Sequence, residues 1–479
     1  MPQLRDSGTR SLHATEPVPS AEMDGFCRIF GVETEYGVAV TGAERPVDAG
    51  QVAMTMFQPI VSRSRSTNTY LANGSRLYLD VGSHPEYATA EARDPREALA
   101  QDLAGEHVMR NLALKAQRKL RESYGAHATI HVFKNNVDSA GHAFGCHENY
   151  LVRRFVPLET IEHQLLPFLI TRRMTPDGFQ ITQRADFLDE AVSSATTRSR
   201  PMVNTRDEPH ADPDSFRRLH VIIGDSNRSQ WSTWMKLAVT HLVLCAIEDA
   251  FRHGVPSGFE QYAFADPAAA NRTVSRFLDN PRAELTLESG ESVSALGLQR
   301  RYYAAVKAFI ETHGDALASS LPATTIDTIM GEWSRVLDAL ERGAYDALAD
   351  RVDWAAKKRL FDALKRRRPD VTFAQMEQLE LDYHDIANGR LYGSLVARNQ
   401  MRELLTGDNV EYAVHNPPTD TRAALRGRFV DAALNVGAQF SADWTHLTLT
   451  APERREAILL DPFEAEPTLG FEQLMEALN

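Results

Sequence analysis

The sequence predicts an α+β protein: a large domain whose antiparallel or mixed sheet is backed by helices, followed by a small C-terminal α/β unit. Three observations lead there. Strand-like segments with period-two alternation are interspersed with helical segments several times their length. The chain of 479 residues exceeds one typical domain, and its 43% apolar and 24% charged residues describe a globular protein with ample core. A composition shift at Asn416-Pro417-Pro418-Thr419-Asp420 marks a linker and a helix cap.

Taken in order, residues 1–24 are rich in Ser, Thr, Pro and charge, show no apolar signal core, and are expected to form a disordered tail. Gly31–Glu35 and Arg76–Asp80 alternate as strands. From Pro95 to about Leu120, Leu99, Leu103, Val108, Leu112 and Leu114 fall in helical register. His127–Lys134 and Arg217–Ile223 read as further strands, Gln230 to about His253 as a helix, and residues 294–365 as mainly helical. Past the linker come a helix from about Thr421 to Asn435, a strand at Trp444–Thr450 and a possible partner strand at Ala457–Asp461. The expected division is a tail (1–24), a catalytic domain (25–414) and a small C-terminal domain (415–479).

Several function classes drop out. The longest apolar runs, such as Leu237–Ile247, are too short and interrupted to span a bilayer. A net charge of −13 opposes bulk nucleic-acid binding, which needs a basic face. Cys27, Cys146 and Cys245 are scattered without metal-ligand spacing, which suits a reducing cytoplasm rather than a disulfide framework. No glycine-rich phosphate loop is present, so bound ATP would have to be held through metal ions and side chains.

Chemistry concentrates in three strings. Alternation puts Glu33 and Glu35 on one strand face, and Arg76, Tyr78 and Asp80 on the corresponding face of another. Glu86 and Thr89 follow in His84-Pro85-Glu86-Tyr87-Ala88-Thr89. A face with that many charges cannot be a dry core. It reads as a cavity where Glu33, Glu35 and Glu86 hold magnesium and Arg76 meets phosphate, although carboxylates in surface ion pairs would look the same. Tyr78 alone reads as a packing residue, and Asp80 as metal ligand, general base or turn former. His147 reads equally as a metal ligand or as a satisfied histidine in a structured loop, and Asn149 as a phosphate contact; Arg198 and Arg206 belong to an arginine-dense stretch suited to phosphate or carboxylate, or to a solvated surface network. Lys357–Arg368 carries seven basic residues in twelve and reads as a docking face for an acidic partner or as the solvated end of a helix. A lone Trp444 fits a core position or an adenine-stacking one.

Longer strings add a family resemblance. Gly31–Gly37, Arg76–Glu91, Phe133–Gly141, Gly145–Tyr150, Ser193–Pro201, Arg218–Asn227 and Asp443–Leu447 resemble, in the same order, the Pup ligases of the proteasome accessory factor A family. The likeness runs from about Phe26 to the C-terminus. It implies a glutamine synthetase-like carboxylate–amine ligase with a mostly antiparallel, curved sheet. It implies ATP as co-substrate and Mg2+ as metal. The partners implied are Pup, a small acidic disordered modifier, and lysine-bearing target proteins. Position by position, it implies magnesium at Glu33, Tyr78 and Glu86, nucleotide contacts at Arg76, Thr89 and Trp444, and Asp80 as the base for the incoming lysine. Glu35 and His147 match further metal positions more loosely. The related depupylase/deamidase is the alternative. It carries a long flexible insertion after the first strand, whereas about 30 residues separate Gly37 from Asn68 here.

Overall fold

The computed structural model describes residues 25–80, 83–137, 143–172, 184–188, 190–194, 201–276, 283–451 and 453–478. The expected tail and Arg198 lie outside them. Eight strands form the main sheet, in the spatial order Asn68–Tyr70, Arg76–Leu79, Pro85–Ala88, Phe30–Glu35, Cys146–Arg153, Phe216–Val221, Pro201–Asn204 and Glu190–Ser193. Every pairing resolved into register is antiparallel except that of the last two strands, which is parallel. The α+β class expected from the sequence is the one observed.

One face of the sheet is apolar because alternate residues are. Phe30, Val32, Leu77, Tyr87, Tyr150, Val152, Leu219 and Val221 are buried. They meet a layer of helices that includes Pro95–Tyr124, Leu158–Thr171 and Gln230–His253. Asp94 caps the first of these by accepting the Arg96 amide, and Ser229 caps the third. The helix Pro95–Tyr124 approaches the sheet most closely at Gly105, where a Cβ would lie 2.4 Å from the Tyr87 ring. That ring is buried and its hydroxyl accepts from Asn73 at 2.9 Å, so it has nowhere to go. Alanine normally stabilises a helix over glycine by about 1 kcal/mol. Here overpacking of about 1–3 kcal/mol outweighs that gain. Gly105→Ala is therefore expected to destabilise the protein, measured as a lower denaturant midpoint at unchanged m-value.

Three segments differ from expectation. The strand expected at His127–Lys134 forms at Thr129–Phe133, but it pairs with Gly37–Thr41 in a separate two-stranded sheet. His147 and Asn149 are strand residues, since Cys146–Arg153 pairs on both sides in the main sheet; the preceding turn-rich sequence disguised that start. The C-terminal strand begins at His446, which leaves Trp444 in the turn before it, where Asp443 accepts the Thr445 and His446 amides. The C-terminal unit comprises a helix at Ala423–Val436, three antiparallel strands and a helix at Leu469–Glu476. Its core of Leu425, Phe429, Leu447, Leu449, Phe471 and Leu474 is completed by Tyr70 from the edge of the main sheet. Among the described residues no helix is long and apolar enough to cross a membrane.

Candidate active site

The second face of the sheet is polar. Register places Glu35 opposite Glu86, Glu86 opposite Tyr78, Glu33 opposite His147, and Asn149 opposite His220, so these side chains share one face. The alternation expected of Arg76, Tyr78 and Asp80 is thus realised, with Leu77 buried beneath.

Among the described residues two groups of potential metal donors emerge, each with ligand atoms within 4.8 Å of one another: Glu35, Asp80 and Glu86; and Glu33, His147 and His220. The first is all oxygen, as a hard divalent cation prefers. Its chemistry shows in Glu86, whose carboxyl is pushed well above its usual range by burial and by the carboxylates of Glu33 and Glu35. A cation placed among them would reverse that penalty. In the second group, burial would raise Glu33. The hydrogen bond from His147, 3.1 Å away, and the Arg218 guanidinium hold it well below the ordinary carboxylate range instead. Nε2 of His220 is buried without a hydrogen-bond partner, 3.6 Å from Glu33, and burial keeps the ring neutral. A neutral, unpartnered imidazole nitrogen facing a carboxylate fits a metal ligand. Both groups therefore suit a divalent cation.

The donor sets redistribute the residues expected from the resemblance. Glu33 and Glu86 fall into different groups, with Tyr78 beside Glu86. The Tyr78 hydroxyl is pushed far above its ordinary value by burial and by Glu33 and Glu86, so it stays protonated. Arg76 stacks over the Tyr78 ring at 4.3 Å and donates to Asn68. Asp80 lies just beyond the end of the strand Arg76–Leu79 and is exposed, its amide donating to the His84 carbonyl.

Beside Glu33 opens a cleft in the polar face. Gly31, Glu33, Thr89, Asn149, Arg218 and Trp444 are among its lining residues. The Thr89 hydroxyl accepts the Val32 amide at 3.0 Å, which ties the cleft wall to the first strand. Arg206 is exposed and pairs with Glu208 at 3.4 Å; it does not line this cleft. Lys357, at the start of the basic run, is engaged by Glu380 at 2.7 Å, and Lys358 by Asp362. Lys365 to Arg368 are exposed.

Sequence reading assigned no role to Arg218 or His220. Both follow from period two along their strand, with Arg218 donating to Glu33 and Asn149 at 3.3 and 3.2 Å. It also missed Glu91, Arg422 and His210, which meet only across long sequence separations.

A cleft lined by Arg218 and Trp444, beside two donor groups suited to cations, has the makings of an ATP-dependent group-transfer site. The sequence matches the profile of the Pup-ligase protein family over residues 28–448, and the chain belongs to that family. It is 98% identical to a Pup–protein ligase of Bifidobacterium longum strain NCC 2705 and 62% identical to one of Bifidobacterium dentium, both over 100% of each chain. Two solved structures share the fold. One is the ligase PafA in complex with the prokaryotic ubiquitin-like protein Pup (TM-score 0.84, 35% identity, 95% of this chain and 92% of that one). The other is PafA in complex with ADP (TM-score 0.76, 37% identity, 91% and 94%).

Proposed function

We propose that this protein uses ATP to join the γ-carboxylate of the C-terminal glutamate of Pup to lysine ε-amines of target proteins, marking them for proteasomal degradation. The observation that carries this reading is a cleft lined by Thr89, Arg218 and Trp444 that meets the carboxylate face at Glu33. Family membership and the likeness to a ligase bound to Pup support it.

In the first step the glutamate γ-carboxylate attacks the γ-phosphorus of ATP, ADP leaves, and an acyl phosphate forms. Two anions must meet for this. Arg218 supplies fixed positive charge at the cleft, and Thr89 and Trp444 border the nucleotide. Magnesium bound by Glu33, Glu35, Glu86 and the histidines, with Tyr78 alongside, would neutralise phosphate charge there. In the second step the lysine amine attacks the acyl carbon and phosphate leaves. A free lysine is protonated at neutral pH, so a base is needed, and the exposed Asp80 takes that proton. Arg76 holds Tyr78 in place from the same strand. Three free thiols, two of them buried, fit a reducing cytoplasm.

The interval from Gly37 to Asn68 favours ligase over depupylase. Rather than a flexible insertion, it holds a strand at Gly37–Thr41 and a capped helix at Ala49–Ser64. The test combines purified protein, Mg-ATP, Pup ending in glutamate and a lysine-bearing acceptor, read by gel and mass spectrometry. A covalent adduct with ADP release is expected. Hydrolysis of a preformed conjugate, with no adduct, would establish the depupylase instead.

A further inference from the structure

The lining of the cleft over Gly31 mixes charge, from Glu33, Arg218 and the paired Glu91 and Arg422, with the uncharged rings of Trp444, His210, Pro209 and Pro462. The His210 ring lies 6.2 Å from Trp444, centroid to centroid, with the planes tilted by 40°. Rings so placed do not stack on each other. A flat base held between them needs a separation of ~7 Å, twice the ~3.5 Å carbon contact distance. At 6.2 Å and 40° the two rings have to part and turn toward parallel to admit one.

His210 is held in this position at a cost. Its φ of +50° is left-handed, a region that non-glycine residues seldom enter and that recurs at ligand clamps. The conformation is fixed from the C-terminal unit: Arg422 donates to the His210 carbonyl, and the Asp212 amide bonds the Leu460 carbonyl at 3.1 Å. The element that carries Trp444 thus also pins His210 across from it. Burial, reinforced by Arg218 and Arg422, pushes the imidazole down to about 4, so at neutral pH the ring is an uncharged aromatic plane.

We propose that His210 is the second wall of the nucleotide site, closing on the base opposite Trp444 while the phosphates run toward Arg218 and Glu33. This rests on the nucleotide use proposed above. The test is calorimetric titration of the full chain with Mg-ADP and, separately, with Mg-tripolyphosphate, which has no base. His210→Asn removes the ring yet tolerates the left-handed backbone. It is expected to weaken ADP about tenfold, as loss of a base–aromatic stack does, and to leave tripolyphosphate within twofold. His210→Phe should recover most of the ADP affinity. Unchanged ADP binding in His210→Asn, equal loss of both probes, or no recovery with Phe would overturn the proposal. A wild-type chain that bound neither probe would overturn the nucleotide reading itself.

Discussion

Asp80→Asn is expected to lower isopeptide formation by about 10²–10⁴-fold while nucleotide affinity stays within a few-fold, the range for loss of a general base. Position decides the role among neighbouring carboxylates. Glu86 is buried at 3% exposure, out of reach of a lysine that arrives on another folded protein. Asp80 is exposed just beyond the end of its strand, where a bulky acceptor can present an amine. Its ligand oxygen also lies within 4.8 Å of those of Glu35 and Glu86, so a purely metal-binding role is the rival. Hydroxylamine separates the two, because it is already neutral at pH 7 and needs no base. With Asp80→Asn, hydroxylamine should still yield Pup hydroxamate and ADP, whereas the lysine adduct is lost. Loss of hydroxamate as well would assign Asp80 to the metal.

Glu91→Gln is expected to cost about 3–5 kcal/mol, since removing one partner strands buried charges. Glu91 is 7% exposed and accepts Nε of Arg422 at 2.9 Å and Nη1 of Arg426 at 3.1 Å, with both arginines buried. Arg426 also donates to the Gly74 carbonyl and lies 4.9 Å over Trp444. This one carboxylate therefore fastens the C-terminal unit, and with it Trp444, to the sheet. Because several structural units are involved, the readout is local: amide exchange across 421–478 should accelerate before the helices under the sheet open. Burial alone would raise the Glu91 carboxyl, but Arg426 and Arg422 pull it down to about 2. A depressed carboxyl stabilises fully above its unfolded value, ordinarily near 4.5. The contribution is lost as pH falls from there toward 2. The same segment of the wild type should therefore loosen in that window, and the pH dependence should flatten in Glu91→Gln.

The sheet's polar face was legible in the sequence because strand periodicity is local. Knowing that Glu33 and Glu35 alternate with Val32 and Thr34, and Arg76, Tyr78 and Asp80 with Leu77 and Leu79, suffices to put the carboxylates together on one side. The long helices at Pro95–Tyr124 and Gln230–His253 were equally plain, since each has a capping side chain and an extended run of helix-compatible residues. His147 was harder. A strand that begins straight after turn-forming residues looks like loop, and only pairing on both edges reveals it.

By itself the sequence determined the α+β class, the charged strand face and, through strings shared with a family, the chemistry to expect there. Tertiary structure alone decided which carboxylates lie together, that Nε2 of His220 is buried without a hydrogen bond, and what fastens Trp444 beside the cleft. The physical reason is distance along the chain. Alternation constrains residues two apart, whereas Glu33 meets Arg218 across 185 positions and Glu91 meets Arg426 across 335. Nothing local encodes such meetings; they exist only once the sheet has closed on its helices.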